Sequence, residues 1–235
     1  MRSIDVIIGE IGVNNHPIIF FDTCSLLDII RTPVRGTFRS PHADAISTIV
    51  AKAEEGLANI FLAQQVKTEL DENRGGILAD AENGIAAVDE QIDNFLKLMA
   101  AYGADVSAFS VRLGSLGFEA VAQGRLSELL ATSEVVMQPA TAVDLAWGRV
   151  GSSIAPARPG KQSMKDCVVI ESYFAALDDL RKSGFTGGAH FLSSNTTDYC
   201  AAGTKVIHPE LEADFQRLGL AFYHDVAAMR YAIWP

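Results

Sequence analysis

Residues 18–22 read IIFFD, four consecutive apolar side chains closed by an acid. A stretch that is apolar at every position, rather than at alternate ones, is a strand buried on both faces, which is the condition inside a parallel sheet. The acid at its carboxyl end stands where open α/β sheets bind their ligands. The next eight residues, TCSLLDII, carry the apolar spacing of a short helix, with Asp22 or Thr23 placed to cap it.

Similar segments recur along the chain. NIFLA (59–63) is a second buried strand, AHFLSSN (189–195) a third that opens into polar TTDY, and LAFYHDV (220–226) a fourth. Pro33, Gly36 and Pro41 mark residues 32–41 as a loop. Residues 42–56 predict an amphipathic helix with Ala45, Ile46, Ile49, Val50 and Ala53 on one face. A helix starting near Gln64 is expected to end before Gly75 and Gly76. From 77 to about 146 the pattern is helical, broken near Pro139. Gly, Pro and Ser make 151–165 a loop. A helix follows from Met164 to Gly184, and a short one over 209–218. The order predicts an α/β chain with a mainly parallel central sheet. Residues 1–235 are read as one domain, and the helical section at about 77–150 as an insertion within it.

Composition bounds the function. The chain has 235 residues, of which 49% are hydrophobic, which excludes a disordered chain. Three cysteines exclude a disulfide-stapled miniature fold. The first residues lack the pattern of a secretory leader, and no stretch approaches a membrane span, so a cytoplasmic protein without a membrane anchor is expected. The net charge of −10 speaks against a surface coated with basic patches. The charge is uneven, however. Residues 65–145 hold 13 acidic against 5 basic residues, whereas 23–43 hold three arginines against one aspartate. Residues 146–183 hold six basic against four acidic residues.

Four acids follow strands or open helices. Asp22 ends the first strand, Glu69 lies one to two turns into the helix after the second, Asp166 opens the helix after the basic loop, and Asp198 follows the third strand. Adjacent strands would bring these distant segments to one pocket. Crowded carboxylates raise one another's pKa unless a cation neutralises them. Oxygen donors suit magnesium or manganese, which promote phosphodiester cleavage by water. No nucleophile-elbow, Walker or dinucleotide-binding pattern stands at a strand end. Each acid also has a plain structural reading: Asp22 as a helix cap, Glu69 as a solvated helix acid with Glu72 as fallback, Asp166 as a helix-start acid, Asp198 as a turn residue. Cys24, Cys167 and Cys200 are read as small side chains behind the pocket, and Trp147 and Trp234 as packing residues.

At this point a family resemblance becomes specific. IIFFDTCSLLDI, FLAQQVKTELDENR, KQSMKDCVVIESY and HFLSSNTTDYC resemble, in order, the four motifs of PIN-domain nucleases. The resemblance covers most of the chain outside 77–150 and implies a three-layer α/β/α PIN-like fold, in a larger member with a helical insertion. It implies an endoribonuclease that uses Mg2+ or Mn2+, with RNA as substrate and DNA as the alternative. Carried over residue by residue, Asp22, Glu69, Asp166 and Asp198 are the catalytic and metal-binding acids. Thr23 and Asn195 are the polar residues that orient substrate or ligands. Many family members have Asp directly after that Asn; here the residue is Thr196, which places the second metal position in question. Glu171 lies five residues beyond Asp166, off that residue's helix face by more than the three-or-four spacing, and is a candidate additional acid only. Arg31, Arg35, Arg39, Arg158, Lys161 and Lys165, with Gln162 and Ser163 beside them, are candidate phosphate contacts in the two basic loops. The toxin branch of the family implies an antitoxin-like protein partner, and a homo-oligomer is also open. Two rival readings stand beside this one: a PIN-like scaffold that no longer cleaves, and a metal-dependent phosphohydrolase of small phosphate esters.

Overall fold

The structure is a computed structural model that describes residues 15–31, 33–36, 38–158, 160 and 163–235, apart from the side chain of Arg35. Five strands form one parallel sheet: β1 (Ile18–Phe21), β2 (Asn59–Ala63), β3 (Ser133–Val136), β4 (Ala189–Leu192) and β5 (Leu220–Tyr223). Their order is β3-β2-β1-β4-β5. The chain builds outward from β1 to β2 and β3, then crosses back to β4 and β5. The order therefore reverses at β1, and the crevice beyond β1 and β4 is the switch point where α/β sheets accept ligands. Register fixes that edge: Phe21 pairs with Leu192, and the Asp22 N–H donates to the Leu192 carbonyl at 2.9 Å.

Among the described residues the helices between and after the strands are α1 (Thr23–Ile30), α2 (Ser40–Glu54), α3 (Gln64–Ala101), α4 (Phe118–Ala131), α5 (Ala140–Ser152), α6 (Met164–Lys182), α7 (Thr196–Tyr199), α8 (Pro209–Leu218) and α9 (Val226–Ile233). Contacts sort most of them into two layers. Helices α1, α2, α4 and α9 pack together on one side, and α5, α6 and α8 on the other, giving an α/β/α sandwich. All four residues of β1 are completely buried, as a continuous apolar run requires. Phe20 stacks its ring near Phe61 and Tyr173. Fully burying each such ring is worth about 2–3 kcal/mol.

Three expectations need correction. The helix beginning at Gln64 does not stop at Gly75 and Gly76 but runs 38 residues to Ala101. The glycines are exposed, and each costs about 1 kcal/mol in a helix interior. Leu78, Ala81 and Ile85, buried beyond them, hold the helix on course. Farther along, Asp89 accepts the backbone N–H groups of Leu113 and Gly114, so the returning chain is tied to the helix. The sheet also has a fifth strand. SEVV lies inside the section read as purely helical, yet it pairs along β2 from Ile60↔Ser133 to Ala63↔Val136. The section 77–150 thus supplies an edge of the central sheet. Last, Trp147 is no packing residue: its side chain is exposed, whereas Trp234 packs against the core.

Candidate active site

The site begins with Asp22. Extended backbone carries β1 directly into α1, so the residue between them is aimed out of the carboxyl edge of the sheet. Asp22 occupies the N-cap position, but its carboxylate makes no capping hydrogen bond to α1. It is only 2% exposed. The Ser193 hydroxyl, at the end of β4, donates to its Oδ2 at 2.7 Å. Burial raises the Asp22 pKa from 3.8 to about 6, the Ser193 bond opposes that rise, and the charge of Glu69 adds to it.

The other strand ends feed the same place. The Asn195 backbone N–H donates to Ser193 Oγ at 3.2 Å, and its side-chain amide donates to Asp198 Oδ2 at 2.8 Å. Asn195 and Ser193 therefore link Asp198 to Asp22 through a short hydrogen-bonded path. The Asn195 side-chain oxygen also accepts the Asp198 N–H and caps α7, which fixes the turn. Arg158 stands 3.2 Å from Asp198 Oδ1. From β2, α3 carries Glu69, whose Oε2 accepts the Thr23 hydroxyl at 2.8 Å and whose Oε1 accepts the Gln65 amide at 3.1 Å. Asp166 lies in the first turn of α6. Burial raises its pKa to about 7, with the charges of Asp22, Asp198 and Glu69 each adding to the rise.

Beneath the acids a single buried phenol locks the strand ends. Tyr173 of α6 donates to the Phe21 carbonyl at 2.5 Å and accepts the Ala63 N–H at 2.9 Å. It thereby ties the carboxyl ends of β1 and β2 to the helix that carries Asp166. Burial, Asp22 and Asp166 push the Cys24 thiol far above its usual range, and burial pushes Cys167 up to about 12, so neither is a thiolate nucleophile.

Lys165 lies among the acids rather than on a flanking loop, 3.1 Å from Glu72 and 3.9 Å from Glu69. Arg31 is paired with Asp28 at 3.1 Å, and Arg39 donates through Nε to the Gly36 carbonyl at 3.3 Å. Thr196 opens α7 and donates its N–H to the Ser194 carbonyl. Glu171 is a correction: Arg149 grips its carboxylate, and Arg149 also binds Asp214 at 2.8 Å and the Ala155 carbonyl at 2.9 Å. Glu171 is thus the acid of a structural ion pair, not a member of the acidic group. Lys161, Gln162 and the Arg35 side chain lie outside the described residues. Ser193 was missed in the sequence. Its signal was the polar run Ser193-Ser194-Asn195 placed directly after buried Leu192.

The donor chemistry fits a hard divalent cation. The four acids offer only carboxylate oxygens, and two are raised by burial and by their neighbours, a strain that a cation would relieve. Among the described residues, however, no group of three or more His, Cys, Asp or Glu side chains stands close enough to hold an ion as the side chains lie. Also among the described residues, no helix is long and apolar enough to cross a membrane.

No curated protein and no solved structure matches the chain. A family model described as the PIN domain matches residues 19–199, from within β1 through Asp22, Glu69, Asp166 and Asp198 to the end of α7, so the chain belongs to the PIN-domain family, whose members are in general nucleases.

Proposed function

We propose that this protein is a metal-dependent endonuclease acting on RNA, with Asp22, Glu69, Asp166 and Asp198 as its catalytic acids. The observation that carries the reading is that the charges of Asp22, Asp198 and Glu69 all act on Asp166, at the end of the sheet where Ser193 and Asn195 link Asp22 to Asp198. Such an arrangement is costly to a fold and useful to a cation site. A magnesium or manganese ion held by these acids would supply positive charge for the phosphate and acidify a water. The protein's own residues prepare the rest. Ser193 orients Asp22, Thr23 and Gln65 orient Glu69, and Asn195 orients Asp198. Arg158 and Lys165 bring cationic charge to where a phosphate would gain negative charge.

The test is cleavage of labelled single-stranded RNA and DNA with magnesium or manganese, comparing the wild type with Asp22→Asn. Metal-dependent cleavage of RNA that the substitution abolishes is the expected result. Cleavage that survives it unchanged overturns the assignment. A second reading, a family member that binds nucleic acid without cleaving, is motivated by Thr196, which stands where many family members carry an acid. A folded, metal-binding wild type that cuts no substrate would establish that reading instead.

A further inference from the structure

Two hollows flank the turn that carries Asn195 and Asp198. The first, about 660 Å³, lies between α1, α2 and the ends of β4 and β5; Arg39, His42, Lys205 and His224 line it above an apolar floor that includes Phe38 and Val226. The second, about 600 Å³, is lined by Arg158, Thr196, Thr197, Thr204 and Lys205. Thr196 and Lys205 line both, so the two hollows adjoin, and together they are called the groove. Cys24, Asn195 and Thr196, which neighbour the catalytic acids in sequence, lie along it.

Most charges along this groove are already matched. Arg31 pairs with Asp28 and Arg158 with Asp198. His42 is held as well: its Nδ1 lies 3.0 Å from the Arg39 backbone N–H and its Nε2 2.9 Å from Asp225 Oδ2. Arg39 and Lys205 differ: both are exposed, and among the described residues neither has a carboxylate partner. A lone phosphate ester would need one compact pocket. Two adjoining hollows, with unmatched cations at one end and at the junction, suit a polymer that presents an anion at every repeat.

We propose that this groove carries the backbone of the RNA strand past the turn that carries Asn195 and Asp198, with Lys205 neutralising one phosphate at the junction and Arg39 another farther along. The proposal rests on the nuclease reading and adds to it a path and two contacts. The test uses the full chain in chelator, where no cleavage occurs, and a fluorescein-labelled single-stranded RNA, read by anisotropy across a salt series. Lys205→Ala and Arg39→Ala are each expected to weaken binding about fivefold and to lower the slope of log affinity against log salt by about 0.7. Lys205→Arg should bind as the wild type does, as should Lys97→Ala on the distant part of α3. Circular dichroism reports whether each variant folds. Wild-type affinity and slope in both alanine variants overturn the groove. If the wild type still cleaves RNA with magnesium in that case, the nuclease reading stands without it. A wild type that neither binds nor cleaves overturns both.

Discussion

Asp166 and Glu171 sit on the same helix, five residues apart, and the protein treats them in opposite ways. Glu171 is buried, and the fold supplies a guanidinium for it: Arg149 binds it, Asp214 and the Ala155 carbonyl together. The Ala155 N–H in turn donates to Glu210 at 2.7 Å, so this network pins the loop that leads to Arg158. Asp166 is also largely buried, yet among the described residues it makes no ion pair, and its charged neighbours include Asp22, Asp198 and Glu69. Where a buried carboxyl serves the fold, the chain provides its cation. Where the repulsion is left in place, a cation from outside would relieve it.

The comparison can be broken at either end. The largest effect is expected at the matched end. Arg149→Met leaves Glu171 buried without its partner and should cost about 3–5 kcal/mol in urea denaturation, while adding Glu171→Leu should recover most of the loss. An Arg149→Met protein as stable as the wild type would show that the ion pair does not hold the loop.

At the unmatched end the effect falls on activity. Asp166→Asn should lower metal-dependent RNA cleavage at least about 100-fold, since even partners of metal ligands cost 10 to 100-fold. Glu171→Gln should leave cleavage by the folded fraction unchanged. If the two variants lose activity equally, the distinction drawn between these acids is wrong.

Ser193→Ala should have an intermediate effect, about tenfold on cleavage. Its hydroxyl holds the Asp22 pKa down against burial. Losing it raises that pKa further, so the rising limb of the pH–rate curve should move to higher pH. A drop in rate with the limb unmoved would make Ser193 a packing residue only.

The smallest effect is thermal. In metal-free protein Asp166 titrates at about 7 when folded, against an ordinary value of 3.8. Between those values the folded state holds a proton that the unfolded state has released. The stability this contributes is present below the lower value and lost as pH rises through the upper one. Asp166→Asn should therefore melt close to the wild type at about pH 4 but higher at about pH 8, by roughly 3 °C for each kcal/mol of burial cost and repulsion removed. Magnesium should narrow the gap at the higher pH by stabilising the wild type. Equal melting temperatures at both pH values, without metal, would mean that neither burial nor the neighbouring acids raise the Asp166 pKa.

Most of the frame was legible in the sequence. IIFFD, NIFLA and AHFL had to be inner strands because continuous apolar runs have no other place to go, and each stands in the centre of the sheet or next to it. SEVV was not legible. It is an edge strand of four residues with only Val136 buried, so its pattern never separates from the helices around it. The length of α3 was hidden too, since two glycines are a local stop signal that core contacts beyond them outweigh. At the site, residue type marked the acids by their places after strands and at helix starts. It set Glu171 apart from Asp166 by their five-residue spacing alone and could not show its partner, because Arg149 stands 22 positions away in sequence from Glu171.

By itself the sequence determined the parallel α/β frame and the positions of four acids at its strand and helix ends, because hydrophobic continuity and local spacing are properties of the chain. Tertiary structure alone decided which carboxyls are neutralised, which repel, and that Lys205 stands where two hollows meet. Those outcomes depend on charges brought together from distant segments and on how much water remains between them.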